Sequence, residues 1–145
     1  VLIIGIDPGA SGAIVAHDGE SSLEFVKLSE TEYDISLFLK VLDLDCAFAY
    51  IERVHSMPGQ GVASSFKFGQ SYGFLRGLLI GLSVPFEEVS PQKWQKSMGC
   101  LSKGDKNVTK SKAQQLFPNV KVTHAIADAL LIAEYGLRLR KWSET

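Results

Sequence analysis

The sequence predicts an α/β chain whose mixed five-stranded sheet, three strands antiparallel and two parallel, is flanked by helices. Three observations carry that prediction. The chain opens with three short apolar runs separated by turn signals, the pattern of an antiparallel meander. Two later apolar runs, "CAFAYIE" and "PFEEV", are separated by a long helical segment, the spacing that parallel strands require. From Ser90 onward the chain reads as helix and loop, so the order is β-β-β-α-β-α-β-α-α-α. Residues 1–145 hold no internal repeat, low-complexity segment or linker, and read as one domain.

Each element has a local reason. "LIIGID" is β-branched and apolar and stops at Pro8-Gly9; "SGAIVAH" is the second strand and "SLEFVKL" the third. Asp18-Gly19 between the last two predicts a type I′ hairpin turn. In "TEYDISLFLKVLDL", Ile35, Phe38, Leu39 and Leu42 share a helical face and Thr31 is placed to cap it. "CAFAYIE" is a buried strand ending on Glu52, and "RVHSMPGQG" is a loop. A helix is expected from Val62 to Leu82 with Gly69, Gly73, Gly77 and Gly81 along one face. Such glycines cost about 1 kcal/mol each relative to alanine. Close packing against the chain's own sheet is the expected reason for them, ahead of a subunit contact, with room for both on opposite faces. "PFEEV" is the fifth strand. Ser90-Pro91 opens a short helix to Met98, Asp105 caps one from Lys106 to Phe117, and the last starts near Thr123 or His124 and passes Gly136.

Composition excludes several classes. Hydrophobic content of 46% with 21% charged residues is that of a globular core. No apolar run reaches membrane-spanning length, and no signal peptide is visible. Cys46 and Cys100 form no metal-type spacing and read as reduced thiols of an intracellular protein. The net charge of −1 hides an asymmetry. Residues 17–53 hold nine acids and three bases, whereas residues 90–121 hold seven lysines and one acid, Asp105. On charge alone, a local polyanion site and a solvated lysine face are equal readings.

Three acids stand out because they adjoin apolar sequence. Asp7 ends "LIIGID", Glu52 ends "CAFAYIE", and Asp128 sits inside "AIADALLIA". A carboxylate beside buried surface requires compensation. Each has an ordinary reading: Asp7 shaping a turn, Glu52 pairing with Arg53 or a lysine, Asp128 pairing with Lys121 or a backbone amide. Jointly they favour an oxygen-rich divalent cation site of the Mg²⁺ or Mn²⁺ kind. His124 lies four residues before Asp128 and shares its helical face.

The blocks "IIGIDPGASGAIV", "YIERVHSMPGQGVASSFKFGQSYGFLRG", "VSPQKWQKSMG" and "HAIADALLIAEYG" resemble the RuvC-type Holliday-junction resolvases, with the nearest likeness to phage-encoded and chloroplast members. The four blocks occur in the family's order and span nearly the whole chain, whereas "GIDPG" alone also opens sugar-kinase-type ATPases. The resemblance implies a ribonuclease H-like fold and a homodimer that nicks four-way DNA junctions symmetrically, in a phage-infected bacterial cytoplasm or an organelle. It implies metal ligation by Asp7, Glu52 and Asp128, with two Mg²⁺ or Mn²⁺ ions about 3.5–4 Å apart activating water and stabilising the leaving oxygen. Asp7 would bridge the ions, Glu52 share one of them, and Asp128 hold the other.

The chain departs from the family in two places. Relatives carry a fourth acid three or four residues before Asp128, where this chain has Ala125 and His124. Alanine is no ligand; His124 is a metal ligand, a proton carrier or a residue at a helix mouth, and the family context favours a role in the site. Relatives place an aromatic wedge near position 55, where this chain has His55; Phe66 and Phe68 are alternatives, one at least expected in the core. Lys96, Lys103 and Lys106 approximate family positions near the scissile phosphate. Lys106, at a helix start, is the best candidate for a catalytic role, and Lys110 for a distal backbone contact. Two functions follow: a junction-resolving endodeoxyribonuclease, or a non-catalytic junction binder with a degraded metal site. An ATPase of the sugar-kinase type is disfavoured, since that class needs two such domains.

Overall fold

The structure is a computed structural model that describes residues 1–54 and 59–143, the last two of these by backbone alone. Its elements are β1 (Leu2–Asp7), β2 (Ala13–His17), β3 (Leu23–Lys27), α1 (Glu32–Lys40), β4 (Ala47–Glu52), α2 (Val62–Gly81), β5 (Phe86–Val89), α3 (Pro91–Ser97), α4 (Lys106–Leu116) and α5 (His124–Ser143). The sheet order is β3-β2-β1-β4-β5. β1–β2 and β2–β3 pair antiparallel, and β1–β4 and β4–β5 parallel, which gives the mixed sheet of three antiparallel and two parallel strands that the sequence predicts.

Strand alternation divides the core between the two faces of the sheet. Ile3, Val15 and Tyr50 pack with Trp94, Ile126, Leu130 and other residues of α3, α4 and α5. Ile4, Ile6, Ile14, Ala49 and Ile51 point the opposite way, against Ile35 and Leu39 of α1 and Leu75 and Leu79 of α2. The caps follow from residue chemistry. The Thr31 hydroxyl accepts from Asp34 N, Ser90 from Lys93 N, and the Asp105 carboxylate from Asn107 N, each at a helix start where N–H groups lack partners.

Three expectations are corrected. Asp18-Gly19 is not a type I′ turn. Gly19 has φ +86°, but Asp18 keeps a negative φ, and the loop runs from residue 18 to 22 with His17 paired to Leu23. The Asp18 carboxylate closes this longer loop by accepting from Glu20 N (2.8 Å) and Ser22 N (3.0 Å). The α2 glycines do not pack on the sheet: a Cβ added at Gly69, Gly73, Gly77 or Gly81 would meet no atom within 4 Å. Leu75 and Leu79 make the sheet contact, and the glycine face looks outward. Nor is Phe66 or Phe68 core. Phe66 is 73% exposed, and half-buried Phe68 lies outside both clusters.

Candidate active site

Asp7 and Glu52 come together because β1 and β4 are adjacent and parallel. Ile6 pairs with Ile51, so the next residues, both acids, emerge side by side at the same end of the sheet. Alternation then sets their direction. Gly5 meets α5 and Tyr50 lies in the α5-side cluster, so Asp7 and Glu52, each two residues on, belong to that side. Strand parity and strand order suffice to pair these two carboxylates.

The third acid arrives on α5, whose depth is set by Gly5. A Cβ at Gly5 would lie 2.5 Å from both Ala129 O and Ala133 N, closer than a side chain tolerates. The missing side chain lets α5 rest backbone-close on β1, with Ala129 and Ala133 as its contact face. Asp128 precedes Ala129 and is thereby delivered over the strand ends. Gly12 has a related role: a Cβ there would collide with the carbonyl oxygen and Cγ of Asp7. The Asp7 carboxylate is further tied by Gly9 N, which donates to Oδ1 at 3.3 Å.

The charge state of the cluster reflects this crowding. Burial, reinforced by the negative charge of Asp128, raises the Asp7 pKa to about 6 against the opposing influence of the Gly9 N–H and Lys106. Burial likewise lifts Glu52 to about 7, with Asp7 and Asp128 adding to the rise and Trp94 and Lys106 resisting it. Glu52 does not pair with Arg53. Arg53 and Arg76 both turn to Glu88, at 3.7 and 3.0 Å. Glu52 instead accepts from the Trp94 indole Nε1 at 2.7 Å. Asp128 forms no ion pair among the described residues, with Lys121 or any other cation.

Beside the acids a cavity of about 440 Å³ opens, lined by Glu52, Asp128, Gln92, Gln95, Lys103 and Lys106 among others. Lys103 adopts φ +50° on the loop before α4, and Lys106 opens that helix. Neither is in a salt bridge among the described residues. Lys106 is near enough to lower the pKa of both Asp7 and Glu52. The structure thus brings together Asp7, Glu52, Asp128, Lys103 and Lys106.

The remaining candidates stand further out. Lys96 is exposed on α3 and does not line the cavity. Lys110 lies one turn beyond Lys106 on α4 and is half-buried. His124 is exposed at the first position of α5, on the face of Asp128, and its ring makes no hydrogen bond or ion pair among the described residues. His55 lies outside the described residues.

The donor chemistry of the three carboxylates suits a hard divalent cation, which would offset the burial and, secondarily, the mutual repulsion that hold two of them above the usual carboxylate range. As the side chains stand, no three His, Cys, Asp or Glu residues among those described form a ready cation cage. Sequence reading missed two contributors. Gly5 is visible only once α5 is placed. Trp94 had one signal: an indole N–H on the inward side of a helix needs an acceptor, and β4, the strand paired with the one before that helix, ends in an acid.

No protein-family model matches the chain. The chloroplastic Holliday junction resolvase MOC1 of Chlamydomonas reinhardtii is 29% identical over 96 residues, which cover 62% of this chain and 11% of that protein's own length. Among solved structures, Thermus thermophilus RuvC superposes with a TM-score of 0.63 at 19% identity, covering 99% of this chain and 97% of that one. T. thermophilus RuvC in complex with a Holliday junction substrate gives 0.62 at 17% identity, with 96% of each chain covered. The fold is therefore that of RuvC, as the sequence blocks imply.

Proposed function

We propose that this chain is a metal-dependent endonuclease that resolves four-way DNA junctions as a homodimer. The observation that carries the reading is the convergence of Asp7, Glu52 and Asp128 from three separate elements beside a cavity lined by Lys103 and Lys106, neither of them in a salt bridge among the described residues. A cluster of acids alone would repel DNA; acids set among lysines fit a phosphodiester held next to bound cations. The likeness to RuvC, solved in complex with a junction, and to a chloroplastic junction resolvase supports the same substrate.

Asp7, Glu52 and Asp128 would hold Mg²⁺ or Mn²⁺, two per site, with His124 as a nitrogen ligand next to Asp128 on its helical face. When bound, the cations supply Lewis acidity and a water nucleophile at neutral pH. The chain's own groups do the rest. Gly9 N and Gly12 fix the Asp7 carboxylate. Lys106 and Lys103 draw the phosphate towards the acids and offset charge on it, and Lys96, Lys110 and His55 extend contact along the DNA. No side-chain nucleophile is required.

The outward face of α2 supports the dimer. Val62, Phe66 and Ile80 are 88, 73 and 63% exposed, and the four glycines between and beside them leave the backbone open to a second helix. A second copy brings the same face. No helix among the described residues is long and apolar enough to cross a membrane.

The lack of a ready cation cage among the described residues is the observation that favours a non-catalytic junction binder instead. A labelled junction incubated with Mg²⁺ or Mn²⁺ separates the two: nicking with either cation supports the nuclease, and tight, salt-sensitive binding with no nicking in both supports the binder. His124→Ala is expected to lower cleavage sharply while junction binding persists.

A further inference from the structure

The indole of Trp94 is fully buried, comes from α3, and donates to a carboxylate forty-two residues earlier in the chain. Such a contact is not incidental to packing, because several features of the local sequence converge on it. β4 and β5 are parallel, and Glu52 pairs with Val89. The next residue, Ser90, caps α3 through its hydroxyl, and Pro91 occupies the first turn, which fixes where α3 begins relative to the end of β4. Arg53 N, donating to Val89 O at 2.7 Å, ties the two strand ends together just beyond Glu52. With the helix start pinned, position 94 faces inward one turn later, directly beside the strand that ends in Glu52.

The chemistry of the donor is equally specific. An indole N–H donates one hydrogen bond, carries no charge and accepts nothing. A lysine in its place would neutralise Glu52 and compete with a cation, and a histidine would itself be a ligand. Trp94 engages Oε2 only; Oε1 accepts no hydrogen bond among the described residues, and Glu52 lines the cavity shared with Asp128 and Lys106. One oxygen is thus held and the other left for the site.

We propose that Trp94 is a positioning residue for the cation site: its N–H fixes the rotamer of Glu52 so that Oε1 serves as a single-oxygen ligand. This rests on the cation-dependent reading of Asp7, Glu52 and Asp128. Hydrogen bonds that orient a ligand in this way commonly change metal affinity by 10–100-fold when lost.

The test is calorimetric titration of Mn²⁺ into the DNA-free protein, alongside the Mn²⁺ dependence of junction cleavage. Trp94→Phe removes the N–H and keeps a buried ring; benzothienylalanine incorporated at position 94 removes the N–H with the indole shape intact, and serves where the Phe variant fails to fold. Expected for either is a loss in Mn²⁺ affinity of about 10-fold or more, a cleavage rate that excess Mn²⁺ partly restores, and unchanged metal-free junction binding. Mn²⁺ affinity equal to that of the unmodified protein in the benzothienylalanine variant overturns the proposal, whatever happens to its thermal midpoint. Glu52→Gln is the control: if it loses Mn²⁺ binding while the benzothienylalanine variant keeps it, only the role of Trp94 fails. If the unmodified protein binds no Mn²⁺, the cation site and the role of Trp94 fail together.

Discussion

α2 and α5 are both twenty residues long and both carry small residues at helical spacing, yet those residues do opposite work. Ala129 and Ala133 of α5 meet Gly5 of β1 at backbone distance, and a Cβ at Gly136 would press into Tyr50 and Ile3. The glycines of α2 meet nothing within 4 Å. α5 is buried along most of its length; in α2 only Leu75 and Leu79 are. The same sequence device therefore closes a packing gap inside the chain in one helix and leaves a bare surface in the other. Where the close approach is internal, it sets the site: α5 lies deep enough to bring Asp128 to Asp7 and Glu52.

The sharpest way to break this contrast is to fill the gap under α5. Gly5→Val forces the helix off β1, and a loss of about 3 kcal/mol, the upper end for overpacking, is expected. In thermal unfolding that is on the order of 10 °C for a chain of this size. A thermal midpoint equal to that of the native protein would show that α5 is not seated as described.

The second prediction concerns the acids that α5 completes. The pKa values of Asp7 and Glu52 are raised to about 6 and about 7 from ordinary values of 3.8 and 4.5. The folded state thus binds their protons more tightly than the unfolded chain. The stability they contribute is full below about pH 4 and is lost as pH rises through 6 and 7. Without divalent cation, Asp7→Asn should accordingly gain on the native protein between pH 4 and pH 8, by up to about 3 kcal/mol. A constant difference across that range would contradict it. Added Mg²⁺ or Mn²⁺ should stabilise the native protein at pH 8 more than the variant.

The two smaller effects lie on α2. Phe66→Glu places a charge on the outward face and should shift the protein towards monomer in sedimentation velocity; an unchanged distribution that is still dimeric would remove α2 from the interface. Gly73→Ala, measured in dilute solution where association is negligible, should stabilise by about 0.5–1 kcal/mol, because helix propensity improves and nothing clashes. Destabilisation there would show that α2 has a close neighbour within its own chain after all.

Much of this was legible in the sequence. The order of elements along the chain, the opening antiparallel meander and the helix caps follow from local rules, because alternation, Thr31, Ser90-Pro91 and Asp105 act within a few residues of themselves. The three acids were visible because each adjoins apolar sequence. The relations that depend on tertiary placement were not. Glu52 has a buried indole rather than Arg53 as its partner, since the phase of α3 against β4 is set by Ser90 and Pro91 together. The glycine stripe of α2 gives the same pattern whether a sheet, a second subunit or solvent lies opposite. The β2–β3 loop is closed by the Asp18 side chain instead of a tight backbone turn, a choice that the Asp-Gly pair leaves open.

The most direct test of the central claim is the fate of a four-way junction labelled on opposing strands and incubated with Mn²⁺. The proposed homodimeric nuclease, with Asp7, Glu52 and Asp128 holding the cations, predicts paired, symmetric nicks that disappear in Asp7→Asn while junction binding survives. Intact junctions in both Mg²⁺ and Mn²⁺, or undiminished nicking by Asp7→Asn, would contradict it.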